Sequence, residues 1–150
     1  MKVLMVCLGN ICRSPLAEGI LRHKIEKKGL LWSVDSAGTG DYHVGSMPDN
    51  RSIAVAKKHN IDIRDQQARQ FRTRDFSDFD LILVMDASNF RNVVNLARND
   101  ADVNKVEMIM NLASPGQNIE VPDPYWSNDG FEQVFSMLDN ACESLLEKYC

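Results

Sequence analysis

Four short apolar stretches that contain β-branched residues alternate with helical patterns along this chain. They are "KVLMV" (2–6), "LWSVD" (31–35), "DLILVM" (80–85) and "KVEMIM" (105–110). Strands that are separated by helices need right-handed crossover connections, which produce a mostly parallel sheet covered on both faces. The sequence therefore predicts an α/β fold, with a four-stranded parallel sheet and helices on both faces, in a single domain over residues 1–150.

The helical segments have recognisable starts and apolar stripes. Ser14 is placed to cap the first helix, with Pro15 at its first position and Gly29 at its end. Further helices are predicted over about 48–58 and 88–97, and the last one carries a regular apolar stripe from 131 to 146. Two loops, 37–47 and 112–127, are long and rich in Gly, Pro and Asn, which is typical of loops that carry function.

Charge and composition exclude several classes of partner. The chain has 17 basic and 21 acidic residues, a net charge of −4, which is the wrong balance for binding nucleic acid through its phosphates. It contains no apolar run near the ~18 residues of a membrane span, and the segment "MKVLMVCLGN" does not resemble a signal peptide. We expect a cytoplasmic protein with reduced cysteines and no nucleic-acid or membrane partner.

The segment "CLGNICRS" (7–14) has the form C-x5-R-S between the first strand and the first helix. A helix N-terminus presents free N–H groups to an anion, and Gly9 and Asn10 tolerate the positive φ angles that turn such groups inward. Arg13 can hold two phosphate oxygens in a bidentate fork. The segment therefore predicts a phosphate-binding loop.

Cys7 lies at the base of this predicted loop. The positive environment favours its thiolate form, which is the nucleophilic one, and Ser14 can donate a hydrogen bond to the sulfur. The alternative is that Cys7 is a buried apolar residue at the end of a strand. Cys12 forms a C-x4-C pair with Cys7, but neither this spacing nor any Cys/His cluster supports a metal site, so no metal or cofactor is predicted.

A thiolate at the base of a phosphate-binding loop is placed to attack phosphorus. A phosphatase that works in this way also needs an acid to protonate the oxygen of the departing alcohol or phenol. Asp123 in "EVPDPYW" (120–126) is the candidate, since it lies in a long loop between two prolines. The alternative is a turn-forming Asp-Pro pair. Tyr125 and Trp126 are suited to lining a slot for an aromatic substrate, although packing in the core is an equally ordinary role for them.

These residues resemble the low-molecular-weight protein tyrosine phosphatases. The resemblance rests on "VCLGNICRSPLAE" (6–18), "VDSAGTGDYHVGSMPD" (34–49), "ARQF" (68–71), "LILVMDASN" (81–89) and "DPYWSNDGFE" (123–132). It implies a flavodoxin-like topology, and hydrolysis of phosphotyrosine in proteins through a phosphocysteine intermediate without metal.

The resemblance also implies roles for individual residues. Cys7 would be the nucleophile, Arg13 the phosphate clamp and Asp123 the acid. Asn10, Ser14 and Ser36 would hold the loop and the thiolate through a polar network. The substrate-binding residues would be Leu8, Gly9, Asn10, Ile11, Cys12, Ser14, Tyr42, Tyr125 and Trp126. Many relatives carry a histidine, linked to the loop asparagine, where this chain has Gln66, so we expect a similar loop with different electrostatics.

Two other functions stay open on the sequence. A thiol-dependent arsenate reductase resembles this fold but needs a relay of further cysteines, and residues 60–110 contain none. A phosphoryl carrier or phosphotyrosine-binding module would keep the loop but would not need the acid. We also expect a monomer, and a redox role in which Cys12 traps oxidised Cys7 as a disulfide.

Overall fold

The computed structural model describes residues 1–150 and contains one sheet of four parallel strands. The strands are β1 (Lys2–Cys7), β2 (Ser33–Gly38), β3 (Leu81–Val84) and β4 (Val106–Met108), in the order β2-β1-β3-β4. The chain runs from β1 to β2 on one side and then to β3 on the other, so the strand order reverses next to β1. Ligands in such sheets bind where this reversal opens a crevice beyond the carboxyl ends of the strands, which is where Cys7 lies.

Six α-helices and two short 3₁₀-helices accompany the sheet. They are α1 (Arg13–Lys28), α2 (Asn50–Lys58), α3 (Asp75–Asp78), α4 (Ala87–Val94), α5 (Asp100–Asn104) and α6 (Phe131–Tyr149), with 3₁₀ turns at Ile109–Leu112 and Pro124–Trp126. None of the helices is both long enough and apolar enough to cross a lipid bilayer.

Alternate residues of the central strands are buried against opposite layers. Val3 and Met5 of β1 pack with the apolar faces of α1 and α6, whereas Leu4 and Val6 pack with Phe76 of α3 and residues of α4. This alternation is the period-2 geometry of a strand with helices on both sides. The predicted fold class is confirmed.

Two predicted boundaries were wrong for identifiable reasons. The second strand was predicted over 31–35 but runs from Ser33 to Gly38, because Leu31 is fully exposed while the polar Ser36 pairs with Met5 inside the sheet. Ser14 does not cap α1. The helix begins at Arg13, no side chain caps it, and the Ser14 hydroxyl instead contacts Cys7 and Asn10.

Candidate active site

Residues 7–14 form a tight loop that curls back on the Cys7 sulfur. Asn10 adopts the left-handed conformation with φ of 56°, and its backbone N–H donates to Cys7 Sγ at 3.3 Å. Gly9 does not need positive φ, contrary to the sequence-based expectation. Its constraint is space, since an added Cβ would lie 3.1 Å from the Cδ2 atom of His43.

The Ser14 hydroxyl is held in position to donate to the Cys7 sulfur. Ser14 Oγ lies 3.0 Å from Cys7 Sγ, and both residues are buried. The Asn10 side-chain amide donates to Ser14 Oγ at 2.7 Å and to Ser36 Oγ at 3.0 Å. Because Ser14 accepts this hydrogen bond from Asn10, its own hydrogen is available to a thiolate at Cys7.

The polar network continues inward to a buried glutamate. Ser36 Oγ donates to Glu18 Oε1 at 2.7 Å, and Glu18 also pairs with Arg22 on the next turn of α1. Burial raises the pKa of Glu18 to about 7, against the opposing effects of the Ser36 hydrogen bond and the Arg22 charge. Sequence reasoning missed Glu18. The signal in the sequence was a charged residue within the apolar stretch "PLAEGIL" (15–21).

Arg13 is buried and anchored through one edge of its guanidinium group. Nη1 donates to Asp86 Oδ2 at 2.7 Å and to the Val121 carbonyl at 3.0 Å, while Nε and Nη2 make no hydrogen bond to the protein. Burial alone would lower the pKa of Arg13, but Cys7 and Asp86 raise it above its ordinary value. The guanidinium is therefore charged and keeps one edge for an anion.

Asp86 is a functional residue that sequence reasoning did not single out. It lies two residues after β3, caps α4 by accepting from the Asn89 N–H at 2.8 Å, and orients Arg13 through its other oxygen. A polar residue just beyond the carboxyl end of a central parallel strand was the available signal, since this edge of the sheet binds ligands.

Asp123 and Cys7 line the same cavity, which has a volume of about 400 Å³. Its Oδ1 accepts from the Tyr125 N–H at 3.0 Å, and its Oδ2 lies 3.9 Å from Nη2 of Arg13. The cavity is lined by Cys7, Leu8, Gly9, Ile11, Cys12, Arg13, Tyr42, His43, Asp123, Tyr125 and Trp126. Nowhere in the structure do three or more His, Cys, Asp or Glu side chains converge as a metal site would require.

The aromatic residues of the cavity lie at its rim, outside the core. Tyr42 is 74% exposed and Trp126 is 85% exposed, while Tyr125 meets Trp126 edge to face with ring centroids 4.9 Å apart. His43 also lines the cavity, with its ring centroid 6.3 Å from that of Tyr125. These four rings form the outer wall of the cavity.

Gln66 does not take over the link to the loop asparagine. Its side-chain amide donates to the Pro15 carbonyl at 3.0 Å, and its buried Oε1 has no hydrogen-bond partner. The side-chain oxygen of Asn10, Oδ1, instead accepts from the backbone N–H of Arg69 at 3.0 Å. The link to the loop asparagine is thus made by a backbone N–H group, while Gln66 supports the first turn of α1.

Comparison with known proteins agrees with this arrangement. The family described as "Low molecular weight phosphotyrosine protein phosphatase" matches residues 2–149. The phosphatase of that name from Schizosaccharomyces pombe is 43% identical, over 97% of this chain and 95% of its own length. A protein tyrosine phosphatase structure from Entamoeba histolytica has a TM-score of 0.92 at 36% identity, over 99% of this chain and 96% of that one. A drosophila arginine phosphatase structure also has a TM-score of 0.92, at 34% identity over 99% of this chain and 98% of that one. With sequence similarity from residue 2 to residue 149 and a shared fold, the chain belongs to the low molecular weight phosphotyrosine protein phosphatase family.

Proposed function

We propose that this chain hydrolyses phosphotyrosine esters in proteins through a phosphocysteine intermediate. The observation that carries the proposal is the convergence of three groups on one cavity: the Cys7 sulfur, the free edge of Arg13 and the Asp123 carboxyl. Family membership supports the same reaction, because the relatives are named as phosphotyrosine phosphatases.

In the first step the Cys7 thiolate attacks phosphorus as the phosphate is held by the loop N–H groups and by Arg13. A sulfur–phosphorus bond forms while the bond from phosphorus to the phenolic oxygen breaks. Asp123 transfers its proton to that oxygen, so tyrosine leaves as a neutral phenol. Arg13 stabilises the charge on the equatorial oxygens of the transition state.

In the second step water attacks the phosphocysteine. The Asp123 carboxylate accepts a proton from the water, an oxygen–phosphorus bond forms, and the sulfur–phosphorus bond breaks. Cys7 leaves as a thiolate, and the hydroxyl of Ser14, 3.0 Å away, stabilises that charge. Inorganic phosphate departs and Asp123 is again protonated, ready for the next substrate.

The rim of the cavity favours an aromatic ester. Tyr42 and Trp126 are exposed rings on the cavity wall, which suits stacking against a phenyl group. We expect phosphoserine, whose side chain is shorter, to reach Cys7 less well past this rim.

The rival functions do not match the groups present at the site. An arsenate reductase relay would require cysteines near the site. Apart from Cys7 and Cys12, this chain has only Cys142, buried in α6, and Cys150 at the exposed C-terminus. A phosphoryl carrier or phosphotyrosine-binding module would not use Asp123 as a proton donor. Steady release of phosphate from phosphotyrosine over many turnovers is expected of the phosphatase alone.

The test of the acid assignment compares two leaving groups in Asp123→Asn. Phenol is a poorer leaving group than p-nitrophenol and depends more on a proton donor, so kcat/KM for phenyl phosphate should fall by a factor on the order of 10². The fall for p-nitrophenyl phosphate should be much smaller. Equal losses on the two substrates would show that Asp123 is not the acid.

We also propose that Cys12 protects Cys7 during oxidation. Both residues line the cavity, and burial raises the pKa of Cys12 to about 12, so Cys12 remains a thiol while Cys7 reacts first. Peroxide would convert the Cys7 thiolate to a sulfenic acid. The Cys12 sulfur then attacks the Cys7 sulfur, the sulfur–oxygen bond breaks, and water leaves with the Cys12 proton.

The remaining expectations are proposals of the same kind. Residues 1–150 would act as one phosphatase domain and as a monomer in the cytoplasm. The net charge of −4 argues against a nucleic-acid partner, and we expect the four cysteines to be reduced in that compartment.

A further inference from the structure

The guanidinium group of Arg51 uses every hydrogen-bond donor it has. Nε and one Nη2 hydrogen bind the two carboxylate oxygens of Asp49, each at 3.0 Å. The second Nη2 hydrogen binds the Tyr125 carbonyl at 3.0 Å. The two Nη1 hydrogens bind the Ser127 carbonyl at 3.2 Å and the Asn128 side-chain oxygen at 3.0 Å. Five donors with five acceptors saturate the group, which fixes its plane and its position.

The flat faces of the same group lie near aromatic rings of the same region. The Arg51 Cζ atom is 4.6 Å from the ring centroid of Phe131 and 5.6 Å from that of Tyr125, both within the range of cation–π attraction. Phe131 begins α6. Arg51 therefore contacts the segment that carries Asp123 and the helix that follows it.

Arg51 is the sole source of hydrogen bonds from the rest of the chain to residues 122–129, the acid loop. Within this loop the other hydrogen bonds are local: Tyr125 to Asp123, Ser127 to Pro124, and Asp129 to Ser127. The next hydrogen bonds to another element come at Val121, just before the loop. The loop of eight residues is thus attached at its ends and, in its middle, by hydrogen bonds from one side chain. Its other polar link is the longer ion pair between Arg13 Nη2 and Asp123 Oδ2, at 3.9 Å.

The residues next to Arg51 in the sequence are hydrogen-bonded to the phosphate-binding loop. The Asp49 N–H donates to the Ile11 carbonyl at 2.7 Å, and Ser52 Oγ donates to the Cys12 carbonyl at 3.2 Å. Asp49 caps α2 and Ser52 lies in its first turn, on either side of Arg51 in the sequence. The start of α2 is therefore held on the loop that carries the nucleophile, and Arg51 reaches from there to the acid loop.

We propose that Arg51 is a positioning residue that sets where Asp123 stands relative to Cys7. The proposal rests on the proposed function, because it assumes that Asp123 is the proton donor. Proton transfer in the transition state requires the donor within about 3.2 Å of the leaving oxygen. A displacement of about 1 Å can cost a factor of ~10² in rate. Without Arg51 the acid loop keeps its ends but loses every hydrogen bond that fixes Asp123 against the nucleophile loop.

The test uses two substitutions at Arg51 and one matched control. Arg51→Met keeps an unbranched stem but removes all five donors, and Arg51→Lys keeps the charge but not the planar fork. Arg64→Met is the control, because Arg64 bonds Asp62 two residues earlier through its backbone N–H, Nε and Nη2, at 2.9–3.0 Å, and has no other hydrogen-bond partner. The control thus removes the same local Asp-x-Arg pair without a loop attached to it.

We expect Arg51→Met to act on the proton-transfer step. The loss in kcat/KM should be about 10-fold or more greater for phenyl phosphate than for p-nitrophenyl phosphate. The kcat/KM of Arg51→Lys for phenyl phosphate should lie between the values for Arg51→Met and wild type. The kcat/KM of Arg64→Met should match that of wild type on both substrates. In an Asp123→Asn background Arg51→Met should not change the ratio of the two substrates further, since the group it positions is already absent.

A second readout separates positioning from loss of the fold. The rate of Cys7 alkylation by iodoacetate, and its protection by inorganic phosphate, report the nucleophile loop alone and should be unchanged in Arg51→Met. Equal slowing of both substrates, or loss of phosphate protection, would overturn the proposal. If Asp123→Asn changes the substrate ratio and Arg51→Met does not, the role of Arg51 is refuted while the acid assignment stands. If Asp123→Asn leaves the ratio of the two substrates unchanged, the acid assignment and the role of Arg51 are both refuted.

Discussion

Glu18 is a carboxylate buried at the inner end of the active-site network, and its ionisation should make the stability of this protein depend on pH. Its side chain is 4% exposed. Burial raises its pKa from 4.5 to about 7; Ser36 and Arg22 oppose this shift, and Asp35 and Asp65 add to it. The informative change is Glu18→Gln, which keeps the size of the side chain and an oxygen that can accept from Ser36 but cannot ionise.

The magnitude follows from the difference in pKa between the folded and unfolded chains. Each pKa unit corresponds to about 1.36 kcal/mol, so the shift is worth on the order of 3 kcal/mol. Below pH 4.5 the carboxyl is protonated in both states. As pH rises to about 7 the unfolded chain releases this proton while the folded chain retains it, so the free energy of unfolding of wild type falls across this window.

Urea denaturation of wild type and Glu18→Gln, from about pH 4.5 to about pH 8, measures this effect. The difference in unfolding free energy should shift in favour of Glu18→Gln by about 3 kcal/mol as pH rises, and the histidines cancel because both proteins carry them. Glu26→Gln is the control, since Glu26 lies exposed on the same helix. A difference that stays constant with pH would refute the claim that Glu18 is protonated in the folded protein at mildly acidic pH.

Four further outcomes follow from the proposed chemistry. Cys7→Ser should abolish hydrolysis of p-nitrophenyl phosphate yet still bind phosphotyrosine in a calorimetric titration, and retained turnover would contradict its role as nucleophile. Arg13→Lys should lower kcat/KM by about 10²-fold or more, because an ammonium group cannot form the planar two-point contact. Tyr42→Ala should narrow the preference for phosphotyrosine over phosphoserine peptides, and equal activity of wild type on both would assign the rim another role. Cys12→Ser should recover less activity than wild type after peroxide followed by dithiothreitol; equal recovery, with no Cys7–Cys12 peptide in wild type, would remove the redox role.

Much of the fold was predictable because it depends on local patterns. Strand β3 and helix α6 were predicted close to their observed bounds, since a buried strand and a long amphipathic helix each leave a regular apolar pattern. Helices α3 and α5 were missed, because four or five residues are too few to show a helical period. Strand β2 was misplaced because its inner half contains Ser36 and Gly38, whose burial depends on contacts with the nucleophile loop rather than on their own hydrophobicity.

The sequence by itself determined the nucleophile loop. Cys7, the backbone N–H groups, Arg13 and Ser14 are contiguous, so a strand, a tight turn and a helix start bring them together in any fold that keeps those three elements. Only the tertiary structure decided which distant residues contact this loop. Asp86 orients Arg13 from 73 residues away, Ser36 joins Asn10 to the buried Glu18, and Arg51 attaches the acid loop from 74 residues before Tyr125. Strand order and helix packing set these distances, and no local pattern encodes which distant side chains those contacts will bring together.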